Sequence, residues 1–86
     1  MEHYLAERYL SRLARCDLAV AASRIEAAAA ELTREGSATR YVRTIFVPAE
    51  ETCFYLFEAE SADAVASVGG RADLAFERVL EAETHT

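Results

Sequence analysis

The sequence of 86 residues is long enough for one small domain, and 52% of its residues are hydrophobic. Its net charge of -6 at pH 7 excludes a nucleic-acid-binding surface, because such surfaces depend on clustered Lys and Arg side chains. Folding of a domain of this size buries only about 60 to 65% of the surface that the unfolded chain exposes. We therefore expect the protein to form a homodimer, which buries additional surface.

The amino-terminal residues and the two cysteines indicate where the protein works. Met1-Glu2-His3 lacks the basic and apolar segments of a signal peptide, and no run approaches the roughly 18 apolar residues of a membrane span. Cys16 and Cys53 lack metal-ligand spacing and are expected to be free thiols. We therefore expect a cytoplasmic protein without a membrane partner.

The first predicted elements are a strand over residues 3–10 and a long helix. Asp17 is expected to cap this helix, and Gly36 is expected to end it in a left-handed conformation. Apolar residues recur every seven positions, at Leu18, Ile25 and Leu32. This pattern is typical of an amphipathic helix that packs on a sheet.

Residues 40–58 form the most informative segment, because two β-prone runs flank a turn that contains the only proline, Pro48. With residues 48–51 as the loop, Val47 pairs with Thr52, and this register assigns each side chain to a face. The face expected to pack against helices carries Val42, Thr44, Phe46, Cys53, Tyr55 and Phe57. The face expected to meet a partner or ligand carries Tyr41, Arg43, Ile45, Phe54, Leu56 and Glu58.

A second, shorter helix is predicted to start after a Ser61 cap. Gly69 and Gly70 are expected to loosen or break its last turn, because each interior glycine costs a helix about 1 kcal/mol relative to alanine. A fourth strand is predicted over residues 76–82, although this Ala-rich and Glu-rich stretch is also compatible with a helix.

The order of these elements predicts a ferredoxin-like α+β fold, βαββαβ, with a four-stranded antiparallel sheet. Right-handed crossovers place the first and third strands centrally and both helices on one sheet face. The other face lacks a helical cover, so we expect dimerisation through it, sheet against sheet. The domain is expected to span residues 1–82, with residues 83–86 as a frayed tail.

Three segments carry a family resemblance: YLAER at residues 4–8, FVPAEETCF at 46–54 and FEAESADAV at 57–65. The sequence resembles, over nearly its whole length, a small bacterial family of unknown function that includes a streptomycete nickel-binding protein. The resemblance implies a dimeric ferredoxin-like, α+β-barrel architecture and a divalent transition metal such as nickel as a ligand. Where many relatives have His and Cys, this sequence has Arg43 and Tyr55, and a guanidinium group is not a practical metal ligand.

Glu7 and Arg43 are the best candidates for catalytic roles. An acidic residue in a central strand must face solvent, a counter-charge or a ligand, so Glu7 is a candidate general base or metal carboxylate. Its alternative is a salt bridge to Arg43 or to a second subunit. Arg43 is a candidate for bidentate binding of an anionic group, or for an ion pair with Glu7 or Glu58. The candidate ligand-binding set is Glu7, Tyr41, Arg43, Leu56 and Glu58.

The two histidines, His3 and His85, lie at opposite ends of the chain, and neighbouring first and last strands would bring them together. A metal site built from His3, Glu7 and His85 is therefore a hypothesis for a borderline cation such as nickel.

Three classes of function remain open. The first is a dimeric binding protein whose inter-subunit cleft holds a divalent metal or a small ligand. The second is a cofactor-independent cyclase, isomerase or monooxygenase acting on an apolar, carbonyl-bearing small molecule, with Glu7 moving a proton and Arg43 stabilising an anion. The third is a plain oligomerisation module.

Overall fold

A four-stranded antiparallel sheet with two helices packed on one face forms the fold. In the computed structural model, which describes residues 1–86, the element order is βαββαβ, as predicted for a ferredoxin-like fold. The elements are β1 (Glu2–Tyr9), α1 (Asp17–Arg34), β2 (Thr39–Val47), β3 (Thr52–Ala59), α2 (Ala62–Ala72) and β4 (Arg78–Ala82). Short 3-10 turns, Arg12–Ala14 and Pro48–Glu50, lead into α1 and β3.

The sheet order is β2-β3-β1-β4, which confirms that the first and third strands are central. Alternate residues of the central strands face the helices and are buried, and they include Tyr4, Ala6, Cys53, Tyr55 and Phe57. They pack against apolar side chains of both helices, such as Ile25 and Val65, in one core. The intervening residues of each strand therefore face away from both helices.

The cap residue of helix α1 lies one position earlier than predicted. Cys16 occupies the cap position, without a side-chain cap hydrogen bond, and Asp17 is the first helical residue. Cys16 already has helical dihedral angles, with φ of -62° and ψ of -18°, so Asp17 lies inside the first turn. At this position the positive end of the helix dipole still stabilises the carboxylate of Asp17. Gly36, with φ of 106°, follows the end of α1 as predicted.

The β2–β3 hairpin has the predicted turn but contains a bulge. Val47 pairs with Thr52, and the register holds back to Arg43, which lies opposite Leu56. The pairing then shifts, so that Tyr41 rather than Val42 lies opposite Phe57. Because the side-chain period of a strand is two, one extra residue reverses the faces of everything beyond it. The predicted face of Tyr41, near the start of β2, was therefore wrong.

The glycines near the end of α2 do not break the helix. Ser61 caps α2 as predicted, because its Oγ accepts a hydrogen bond from the backbone N–H of Ala64 at 3.1 Å. The helix then continues through Gly69 and Gly70 to Ala72, so the prediction of a broken last turn was wrong. Tertiary packing outweighs the low helix propensity here, since both the sheet and α1 contact α2.

Strand β4 starts at Arg78, two residues later than predicted, and the helical alternative for this stretch was wrong. Phe76 belongs instead to the connection, where its ring packs 5.6 Å from Tyr55 and 6.3 Å from Phe57 between ring centroids. Residues 83–86 follow β4 without regular structure and are exposed.

Candidate functional site

The sheet face that points away from the helices is the candidate site, and we call it the open face. Its cross-strand neighbours form rows that run from β2 through β3 and β1 to β4. The first row is Arg40, Glu58, His3 and Ala82. The second row is Arg43, Leu56, Leu5 and Leu80. The third row is Ile45, Phe54, Glu7 and Arg78. An apolar band therefore crosses the middle of the face, with charged groups on both sides.

No helix covers this apolar band. Ile45 and Leu80 keep 46% and 37% of their surface exposed, and Leu5, Phe54 and Leu56 are half-buried by their neighbours within the sheet. Contiguous apolar surface that is rimmed by polar groups usually marks a place where a partner or ligand binds.

Glu7 is paired within its own sheet. The carboxylate accepts a hydrogen bond from the Nε–H of Arg78, which lies directly opposite Glu7 on β4. The Glu7 side chain keeps 21% of its surface exposed. The predicted alternative of a salt bridge to Arg43 was wrong, because Arg43 lies one row away on the far side of β3. Glu7 is thus a charge-neutralised member of the open face.

Glu58 binds two basic groups at the other border of the band. Its Oε1 accepts a hydrogen bond from the Nε–H of Arg40 at 2.7 Å, and its Oε2 lies 3.4 Å from Nε2 of His3. The hydrogen bond from Arg40 holds the pKa of Glu58 below its usual value. The predicted pairing of Glu58 with Arg43 was wrong, because the bulge brings Arg40 opposite Glu58 instead.

Arg43 is the remaining charged residue of the open face. It is exposed on the edge strand β2, at the end of the row of three leucines. None of the ion pairs of the protein includes it, and its guanidinium group donates no hydrogen bond to another side chain. Leu56, its neighbour on β3, also lies on the open face as predicted.

Tyr41 does not belong to this site. The bulge turns it toward the helices, where its ring packs edge-on against Phe57 with 6.0 Å between centroids. Its hydroxyl group hydrogen-bonds with Oγ1 of Thr44 at 2.6 Å. The prediction of Tyr41 as a ligand-binding residue of the open face was therefore wrong, and Tyr41 is a packing residue at the edge of the core.

The hypothetical metal ligands His3, Glu7 and His85 are not brought together within one chain. His3 and Glu7 lie on the same face of β1 but four residues apart, or about 13 Å along an extended strand. His85 lies in the exposed segment after β4, and its side chain makes no ion pair. No cluster of three or more His, Cys, Asp or Glu side chains with suitable geometry for a metal ion is present.

A polar cluster on the helix side of the sheet was missed by the sequence analysis. Arg8 donates a hydrogen bond from Nη1 to the hydroxyl oxygen of Tyr55 at 3.0 Å. Burial raises the pKa of Tyr55 and also the pKa of the Cys53 thiol. The sequence could have indicated this cluster, because Arg8 follows Tyr4 and Ala6 at the two-residue period of a strand and therefore faces the helices.

Comparisons with known proteins support the fold. The crystal structure of SCO4226 from Streptomyces coelicolor A3(2) is similar to this chain with a TM-score of 0.80. The two share 20% sequence identity, and the similarity covers 98% of this chain and 99% of that chain. At this identity the likeness establishes a shared fold and nothing finer.

Comparisons by sequence give less. The sequence matches no protein-family profile and no curated protein. Neither helix is long and apolar enough to span a membrane.

Proposed function

We propose that this chain is a small binding protein that forms a homodimer through the open face and holds a small ligand in the cleft between the two sheets. The observation that carries the proposal is the apolar band of Ile45, Phe54, Leu56, Leu5 and Leu80, which neither helix covers. A second copy offers the same band, and a two-fold axis lets each copy cover the other.

The size of the open face is adequate for such a dimer. Four strands with a spacing of about 4.8 Å and a rise of about 3.3 Å per residue give a face of roughly 25 Å by 19 Å. Two such faces would bury at most about 950 Å² in total, which is close to the roughly 1,000 Å² expected of a biological interface. A domain of 86 residues also gains stability from the additional buried apolar area.

The charged groups of the open face support a sheet-to-sheet arrangement. Glu7 is neutralised by Arg78 on one side of the band, and Glu58 is neutralised by Arg40 on the other side. Burying an unpaired charge is expensive, whereas a paired charge at the rim of an interface is tolerated. Both ion pairs flank the apolar band and leave its centre free of charge.

A small organic ligand fits this face better than a divalent metal. Glu7 and Glu58 already accept hydrogen bonds from arginines, and the carboxylate that faces His3 is that of Glu58. A metal site would have to displace those partners or combine ligands from two subunits. The proposed ligand-binding residues are therefore Arg43 and Leu56, with Glu7 and Glu58 at the borders of the cleft.

The matched substitutions Leu56→Glu and Leu13→Glu test the proposed dimer. Leu56 lies at the centre of the open face, whereas Leu13 is 89% exposed in the 3-10 turn before α1. Size-exclusion chromatography with light scattering should give twice the chain mass of 9.5 kDa for the wild type and for Leu13→Glu. Leu56→Glu should give the mass of one chain, because it places a charge in the interface.

Two results would contradict the proposal. One is a wild-type mass of one chain at micromolar concentration, and the other is a dimer that Leu56→Glu leaves intact. A rise in melting temperature with NiCl2 that His3→Ala abolishes would instead support the metal-binding alternative, because a ligand stabilises the state to which it binds.

A further inference from the structure

The charges of the open face are unequal, and Arg43 carries the difference. The face holds three arginines, of which Arg40 and Arg78 each pair with a glutamate of the same face. Arg43 has no counter-ion on the face, and no other ion pair of the chain involves it. In the proposed dimer, this guanidinium group would border a cleft from which water is partly excluded.

The neighbours of Arg43 define the shape of a ligand that could neutralise its charge. Arg43 begins the row that continues through Leu56, Leu5 and Leu80, each directly opposite the next across the sheet. Four strands in a row give about 14 Å from the first residue to the last. The row therefore offers one cationic end and an extended apolar track without a hydrogen-bonding side chain.

We infer that the cleft binds a monocarboxylate with an extended apolar body, with the carboxylate on Arg43 and the body along the three leucines. The inference rests on the proposed dimer and names the ligand class of its cleft. A guanidinium group forms two parallel hydrogen bonds with a carboxylate, and such charge-assisted bonds are stronger than those between neutral groups. One unpaired arginine on each open face matches one negative charge per ligand.

Decanoate is a suitable probe, because its length is comparable to that of the row, and decanol and decylamine provide neutral and cationic controls. Binding would be measured by isothermal titration calorimetry below the concentrations at which the probes form micelles. The variants are Arg43→Gln, Arg43→Lys and the control Arg15→Gln, which removes an exposed arginine that precedes α1, lies away from the open face and makes no ion pair. Light scattering on the same samples reports the oligomeric state.

The wild-type protein should bind decanoate and not decylamine, with decanol weaker than decanoate. Arg43→Gln should weaken decanoate binding by about tenfold or more, since a charge-assisted hydrogen bond is worth about 1.5 to 3 kcal/mol. The affinity of Arg43→Lys for decanoate should lie between those of the wild type and Arg43→Gln, because lysine keeps the charge and loses the bidentate geometry. Arg15→Gln should change the affinity by less than about twofold, because its side chain lies away from the open face.

Several outcomes would overturn the inference. One is equal affinity for decanoate and decanol, and another is equal loss of binding in Arg43→Gln and Arg15→Gln. A third is a stable dimer that binds no decanoate and dissociates on Arg43→Gln, which would show that a carboxylate of the second copy neutralises Arg43. A monomer that still binds decanoate through Arg43 would contradict the proposed dimer alone.

Discussion

Gly69 of α2 and Phe76 of the α2–β4 connection lie so close together that no side chain fits between them. A Cβ atom added to Gly69 would lie 2.7 Å from Cδ2 of Phe76 and 3.0 Å from its Cγ. The ring of Phe76 already packs against Tyr55 and Phe57 on the buried side of β3, so an added Cβ atom would push it out of those contacts. Gly69 therefore allows the ring of Phe76 to lie directly against α2.

Gly69→Ala should destabilise the protein by up to about 2 kcal/mol, because overpacking costs about 1 to 3 kcal/mol and the gain in helix propensity returns about 1 kcal/mol. Gly70→Ala is the matched control, since a Cβ atom there meets nothing within 4 Å. Gly70→Ala should be neutral or more stable by up to about 1 kcal/mol. Urea unfolding followed by circular dichroism measures both. Equal effects of the two substitutions would contradict the packing account.

The two thiols should react at very different rates. Cys16 is exposed before α1, whereas Cys53 is fully buried in the core and burial raises the pKa of its thiol. Ellman's reagent should therefore modify one thiol per chain in the native protein and two in denaturant. Cys16→Ser should leave none that reacts in the native state. Rapid modification of Cys53 in the folded Cys16→Ser protein would show that the core around β3 is open.

Burial should shift the ionisation of the Tyr55 phenol to high pH. Burial raises its pKa above the usual value of 10.0 and outweighs the opposing hydrogen bond from Arg8. The neutral phenol is favoured by folding, so its contribution to stability is present below pH 10 and is lost as the pH rises further. In a pH titration followed by absorbance at 295 nm, the ionisation of Tyr55 should appear as a phase at high pH that Tyr55→Phe removes. An unchanged titration curve in the variant, apart from its amplitude, would contradict this assignment.

Arg71 joins α2 to the end of α1 by binding Glu31 of α1 and Glu35, which directly follows it. Its guanidinium nitrogens lie 2.6 Å from Oε1 of Glu31 and 2.6 Å from Oε1 of Glu35. The hydrogen bond from Arg71 lowers the pKa of Glu35 from 4.5, so folding favours the ionised carboxylate. The resulting stability is present above pH 4.5 and is lost as the pH falls through the lowered pKa.

Arg71→Gln should therefore melt at a lower temperature than the wild type at pH 7, and the difference should shrink as the pH falls below 4.5. Arg12→Gln removes an arginine whose side chain makes no ion pair and should show no such pH-dependent difference. Thermal melts between pH 7 and pH 3 provide the measurement. A difference for Arg71→Gln that stays constant over this range would rule out the Glu35 contribution.

Much of the fold was predictable because β3 alternates so regularly. Cys53, Tyr55 and Phe57 are buried and the residues between them are not, and Pro48 marks a turn of the expected length. Once this hairpin and the helix cap at Ser61 were placed, the ferredoxin-like order followed from the handedness of the crossovers.

The parts that escaped prediction depend on tertiary contacts. The bulge at Val42 has no sequence signal, because Tyr41 and Val42 are both suited to strands and no glycine marks the irregular residue. The partner of Glu7 depended on where β4 begins, which the Ala-rich segment left uncertain by two residues. Gly69 was interpreted as a helix breaker, whereas the close contact with Phe76 explains its presence.

The central claim is that the open face of one chain packs against the open face of another. Isotope-filtered NOE spectroscopy on a mixture of 13C-labelled and unlabelled protein tests it most directly, because it detects contacts between chains only. The account predicts intermolecular NOEs from the methyl groups of Leu5, Leu56 and Leu80, and none from Val20, which is exposed on α1. Intermolecular NOEs confined to helix residues, or none from the three leucines, would contradict it.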